Sequence, residues 1–176
     1  MNLCLSRVML IGVATGFFCG CGPAAPVNTS NPSGEETTAA RPVSLAAREP
    51  GPRDEDAPTE FTTTESGLKY RILRKGSGPK PQSPDQVIVN YKGWLEDPEK
   101  PFDQSYGKNP FDFRLVPIGQ QGQVIDGWNE GVTYVKEGGM IELEIPSELG
   151  YGEGGFPPVI PPNATLHFIV EVLEVK

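Results

Sequence analysis

Four stretches of the chain alternate apolar and polar residues with the two-residue period of a half-buried strand. In "GLKYRIL", Leu68, Tyr70 and Ile72 face one way and Lys69 and Arg71 the other. In "VIVNYKGWL", Val87, Val89 and Tyr91 share a face, and in "MIELEI" Ile141, Leu143 and Ile145 point inward with Glu142 and Glu144 outward. "TLHFIVEVLEV" puts Leu166, Phe168, Val170 and Val172 on one face. One segment has the longer helical period. "IDGWNEGVTYVKEGG" offers Asp126 as N-cap, Trp128, Val132 and Val135 at i, i+4 and i+7, Lys136 in the last turn and Gly138-Gly139 as the stop. Long helical crossovers between the strands are lacking, so antiparallel pairing follows. The pattern predicts an α+β domain: a twisted antiparallel sheet wrapped around one short amphipathic helix.

The loops of this domain are unusually apolar. "YGEGGFPPVIPPNATLHF" is stiffened by prolines yet carries Tyr151, Phe156, Val159 and Ile160, although loop backbones normally lie in water among polar side chains. Tyr91 and Phe168 place aromatics on buried strand faces, and Trp128 falls in the first helical turn beside Val124 and Ile125. Any one of these residues reads as core. Converging from strands, helix start and loops, they predict a shallow hydrophobic pocket. Phe168 is expected in the core and Trp128 partly exposed in the pocket.

Composition narrows the chemistry. The chain has 176 residues and a formal net charge of -8. That acidic balance argues against nucleic acid as the main partner, because phosphate binding needs basic clusters. The three cysteines, Cys4, Cys19 and Cys21, all precede the patterned region, which leaves it without a disulfide framework or a Cys-ligated metal. His167 is the single histidine and alternates away from Phe168, so it reads as outward or structural, and a His-based triad or metal site is excluded.

The first residues read as a targeting segment. Arg7 is followed by "VMLIGVATGFF", an apolar run too short for the ~20 residues of a spanning helix. "FCGC" resembles the lipobox of bacterial lipoproteins, with Gly20 before Cys21 as the lipidated residue; a plain cleaved secretory signal is the alternative. From Gly22 to about Glu60 the chain is mostly Pro, Ala, Ser, Thr, Glu and Asp, with too little apolar surface to offset its ordering entropy. The expected organisation is a lipoprotein-type signal over residues 1–20, a disordered tether over 21–60 with a reach on the order of 35 Å, and the folded domain over 61–176. The localisation expected from this is a bacterial envelope, lipid-anchored and periplasm-facing, with the outer membrane favoured.

The stretches "VIVNYKGWLED", "PFDQS", "NPFDF", "GQVIDGWNEGV" and "LGYGEGGFPPVIPPNATLHFIVEVLEV" together resemble the FKBP-type peptidyl-prolyl cis–trans isomerases, in the family's order. The resemblance implies an FKBP-like fold and a proline-binding pocket. It implies catalytic roles for Tyr91, Asp103, Ile125 and Tyr151. It implies substrate contacts from Phe102, Phe111, Val124, Trp128, Phe156, Val159, Ile160 and Phe168. Phe156 stands where the family often has His, and Gln123 where it often has Glu. "RLVPIGQQGQ" is longer than the usual connection, and in place of the family's Arg partner to the Asp the nearest cation following Asp103 is Lys108. Asp103 could polarise the pocket or simply hold the Tyr91 hydroxyl. No cofactor or metal is implied. The implied partners are proline-containing unfolded or exported polypeptides and macrolides such as rapamycin. Residues 22–60 show no heptads or apolar stripe, so a monomer is expected. A weakly catalytic proline-binding chaperone or assembly module is the first rival reading, and a structural envelope lipoprotein the second.

Overall fold

The computed structural model describes residues 49–176. Cys21, the signal segment and most of the expected tether lie outside the described residues. Seven strands form one antiparallel sheet: β1 (Thr62–Thr63), β2 (Lys69–Arg74), β3 (Gln86–Trp94), β4 (Asp103–Gln104), β5 (Phe111–Arg114), β6 (Met140–Ile145) and β7 (Leu166–Val175). Their order is β1-β2-β6-β7-β3-β4, with β5 also paired to β3. Among the described residues one α-helix, α1 (Asp126–Gly131), continues into a 3₁₀ turn, Val132–Tyr134. The α+β architecture read from the alternation is the one observed.

The period-2 residues meet where the pattern placed them. Phe168 on β7 sits opposite Leu143 of β6 and Gly93 of β3. With Leu68, Val87, Val89, Ile141, Ile145, Val170 and Val172 it forms the core on the helix side of the sheet. The helix comes close because Gly127 has no side chain: a Cβ there would lie 2.5 Å from Ile145 Cγ2.

Four details differ from the sequence expectation. Asp126 is the first helical residue rather than the N-cap, which is Ile125 in extended conformation. The Asp126 carboxylate instead accepts the Gly119 N–H at 3.2 Å. The helix is also shorter, and Val135 is buried but extended, so Lys136 is in no helical turn. Its tight succession of small and β-branched residues favours an early 3₁₀ ending. Glu142, expected outward in solvent, is buried because Arg71 covers it with an ion pair at 2.8 Å.

The fourth difference is at residues 49–60, expected as the end of the tether. They lie along the outer face of the sheet as a strap. The Asp54 N–H donates to the Leu73 carbonyl at 2.8 Å. Arg71 Nη1 donates to the Thr59 carbonyl at 2.7 Å and Arg74 Nη1 to the Pro52 carbonyl at 3.1 Å. Composition hid this, because a strap held by backbone carbonyls needs no apolar residues of its own. Arg74 also pairs with Glu171, whose other oxygen accepts the Tyr106 hydroxyl at 3.2 Å. Glu171 is 1% exposed; the Arg and Tyr partners satisfy the buried carboxylate that would otherwise be costly. Beside them Leu73, Trp94, Met140 and Ile169 form a second, smaller core. His167 stacks on Trp94, 5.8 Å between ring centroids.

Candidate functional site

The sheet, α1 and two loops line an open hollow of about 220 Å³. Its walls are Tyr91 from β3, Phe102 and Asp103 at β4, Phe111 from β5, Gln123, Val124 and Ile125 leading into the helix, Trp128 from α1, Tyr151 from the rim loop and Phe168 from β7. Every sequence-predicted residue of strand and helix is in this set. A second cavity of about 180 Å³ adjoins it, sharing Phe102, Asp103 and Tyr151 and adding Phe156, Val159 and Ile160. The predicted site residues thus divide between two adjoining hollows.

Aromatic rings build the floor. Trp128 takes the edge or face of Tyr91 at 5.1 Å, Phe168 at 5.2 Å, Phe113 at 5.6 Å and Phe111 at 6.2 Å between centroids, all steeply inclined. Inclined contacts set the positive ring edge on the negative ring face. Among the described residues the indole N–H of Trp128 meets no hydrogen-bond acceptor, and the ring is packed by its aromatic neighbours. Trp128 is buried, not partly exposed as expected from sequence. The first turn of α1 presses it into the sheet side chains, and the core extends up to the cavity.

The polar groups are few and placed by their neighbours. The Tyr91 hydroxyl donates to Asp103 Oδ2 at 2.5 Å. Asp103 Oδ1 accepts the Gln104 N–H at 2.8 Å. Burial first, then the Asp103 hydrogen bond and charge, hold the Tyr91 hydroxyl well above the usual tyrosine range. Burial, then the charge of Asp103, also pushes Tyr151 up. Both hydroxyls are therefore protonated donors at neutral pH. Gln123 fixes the longer connection, its Oε1 accepting the Arg114 N–H at 2.9 Å. Among the described residues no cation forms an ion pair with Asp103, Lys108 included. No group of three or more His, Cys, Asp or Glu side chains able to hold a metal occurs among the described residues.

The rim loop explains its own composition. The Phe156 N–H donates to the Ile160 carbonyl at 2.8 Å, and the Ile160 N–H returns to Phe156 at 2.9 Å. This small hairpin buries Ile160 and leaves Phe156 and Val159 exposed, 58% and 45%. The Asn163 N–H ties the loop's end back to the Gly152 carbonyl at 2.9 Å. A stiff loop keeps apolar side chains at the cavity mouth in place of letting them fold onto the core.

Two residues of the site escaped the pattern. Gly93 lies behind the cavity: a Cβ on it would be 2.4 Å from Phe168 Cε1 and 2.9 Å from Phe102 Cζ. A glycine within an apolar strand run was the available signal. Ser105 bonds the backbone of Tyr91, and a lone serine after "PFDQ" carries no periodic signal.

The sequence pattern of the FKBP-type peptidyl-prolyl cis-trans isomerases matches residues 78–173. Over 115 residues the chain is 49% identical to the FKBP-type peptidyl-prolyl cis-trans isomerase FkpA of Escherichia coli strain K12, covering 65% of this chain and 40% of that protein. It is 47% identical over 113 residues to FK506-binding protein 1 of Gibberella zeae, covering 62% of this chain and 98% of that one. Among solved structures, the crystal structure of FkpA from Escherichia coli aligns with a TM-score of 0.60 at 47% identity, over 68% of this chain and 53% of that chain. AtFKBP13 aligns with a TM-score of 0.59 at 32% identity, over 66% of this chain and 99% of that chain. The chain thus spans about 40% of the length of FkpA and nearly all of the Gibberella protein.

Proposed function

The chain belongs to the FKBP-type peptidyl-prolyl cis-trans isomerases, and on that premise we propose that its cavity binds X-Pro amides of polypeptides and speeds their cis–trans rotation. The observation that carries this reading is the aromatic floor: Trp128 flanked by Tyr91, Phe111 and Phe168 makes a hollow of about 220 Å³ suited to a proline ring.

Rotation about an X-Pro bond is slow because it breaks amide resonance, a barrier of about 18–20 kcal/mol. No nucleophile is required to lower it. The planar amide carries the larger dipole, so an apolar hollow disfavours the planar state relative to the twisted one. In the twisted state the proline nitrogen gains a lone pair able to accept the substrate's own next amide N–H. The Ile125 N–H and the Tyr151 hydroxyl hold the substrate carbonyls, and Asp103 fixes Tyr91. This is positioning combined with desolvation. A rate gain of about 10⁴–10⁶ corresponds to roughly 5–8 kcal/mol.

The substrates are proline-containing segments of unfolded exported proteins, whose folding proline isomerisation can limit. Rapamycin-type macrolides enter the same cavity. The exposed Phe156 and Val159 also support a second reading, a polypeptide-binding module with weak catalysis. The chain acts as a lipid-anchored monomer of a bacterial envelope, held through Cys21, the outer membrane being the favoured site. The intact mass of the mature N-terminus checks that anchor. Isomerisation of a proline tetrapeptide, followed with and without rapamycin, tests the activity. Rapamycin binding without turnover would favour the binding module, and neither binding nor turnover would sink both.

A further inference from the structure

One three-residue stretch, Asp103 to Ser105, holds Tyr91 at both ends. Asp103 Oδ2 accepts the Tyr91 hydroxyl. Ser105 grips the backbone: its N–H donates to the Tyr91 carbonyl at 3.0 Å, and the Tyr91 N–H donates to Ser105 Oγ at 3.0 Å. The Ser105 hydroxyl then donates to Asn90 Oδ1 at 3.1 Å. Ser105 and Asn90 are both buried.

The arrangement fills a gap in the ladder. β3 pairs with β5 as far as Val89↔Phe111 and with β4 from Lys92↔Gln104 onward. Tyr91 falls between these two pairings. A regular neighbour would offer a backbone carbonyl to its N–H; here a side-chain oxygen does so. A hydroxyl suits the place because it can accept from Tyr91 and donate to Asn90 together. A methyl there would strand a buried N–H.

We infer that Ser105 is a positioning residue for isomerisation: by fixing the Tyr91 backbone against the strand that carries Asp103, it keeps the Tyr91 hydroxyl aimed at the substrate. The inference rests on the isomerase reading above. Because Asp103 and Ser105 share one short strand end, slack at Ser105 becomes slack in the Tyr91–Asp103 bond.

The test compares Ser105→Ala in the full-length protein with the same change in a Tyr91→Phe background. In the wild-type background kcat/KM for a proline tetrapeptide should fall roughly 3- to 10-fold, mainly in kcat. In the Tyr91→Phe background the same change should cost less than about twofold, although it lowers Tm equally in both. An equal loss of kcat/KM in both backgrounds, or a lowered Tm with kcat unchanged, would overturn the inference. Should Ser105→Ala not fold, Ser105→Cys, a weaker acceptor of similar size, carries the same comparison. If the wild type has no isomerase activity, the isomerase reading fails, and ring NMR resonances of Tyr91 still decide the positioning. They should shift in the Ser105 variant, and an unmoved ring overturns the inference.

Discussion

The rings of Trp128 and Phe168 meet edge to face, 5.2 Å between centroids and 88° between planes, and are only 4% and 5% exposed. The cavity floor is therefore also core. Trp128→Ala and Phe168→Ala should each cost about 3–5 kcal/mol of stability, and denaturant titrations of the two variants should give similar losses. A Trp128→Ala protein as stable as the wild type would show that the ring is not packed as described. Trp128→Leu keeps more of the packing volume, and it should lose proline-peptide binding more than stability.

The strap should matter to stability. Arg74 spends its guanidinium on three acceptors: the Gly138 carbonyl, the Pro52 carbonyl and Glu171. Removing residues 49–60 deletes one of them and uncovers the buried Glu171. A chain starting at 61 should be less stable by about 2 kcal/mol than one starting at 49. That is a fall in Tm of about 5–10 °C, measured by thermal melts of the two. Coincident melts would mean that the strap contributes nothing.

What could be read from sequence followed the physics of each feature. Strand alternation and the aromatics of Tyr91, Trp128 and Phe168 were visible because burial of large side chains drives both. The strap was not, since its bonds run from Arg71 and Arg74 to backbone carbonyls that every residue possesses. Glu142 looked like a solvent-facing residue because its partner Arg71 lies on another strand. Ser105 acts through a break in pairing between β4 and β5, which no periodicity records. Long-range polar contacts leave little trace in local pattern.

Gly93 should tolerate no side chain. A Cβ at 2.4 Å from Phe168 and 2.9 Å from Phe102 forces both rings toward the cavity. Gly93→Ala should cost about 1–3 kcal/mol through overpacking and weaken rapamycin binding. Fluorescence titration checks the second part, with the buried Trp128 as reporter. Unchanged affinity and Tm together would show that the rings have room to move elsewhere.

Activity should be flat from about pH 6 to 9. The hydroxyls placed in the site, Tyr91 and Tyr151, are both raised above the ordinary tyrosine value, chiefly by burial. Tyr106 is raised as well, by burial and then by Glu171. A raised folded pKa means that the native state keeps protons which the unfolded chain releases. That stabilisation is complete below the unfolded value of about 10 and is lost as pH rises above it. Denaturant titrations should show it as a stability decline beginning near pH 10. A sigmoidal loss of kcat/KM centred between pH 6 and 8 would point to a titrating catalytic group and contradict the desolvation mechanism.

Tyr151→Phe separates hydrogen bonding from acid catalysis. The Tyr151 ring leans on Phe156, 5.5 Å between centroids, and the substitution keeps that contact while removing only the hydroxyl. Tyr151 is 39% exposed, so Tm should stay near the wild-type value. If the hydroxyl holds a substrate carbonyl, its loss removes one hydrogen bond, about 0.5–1.5 kcal/mol in kcat/KM. That is roughly a 2- to 13-fold decrease, because the Trp128 floor still excludes water. A loss beyond about 10³-fold would assign proton transfer to Tyr151. No loss would leave only the ring in contact with substrate. Reading either outcome requires Tm and kcat/KM from the same preparation, since a partly unfolded variant mimics a catalytic defect.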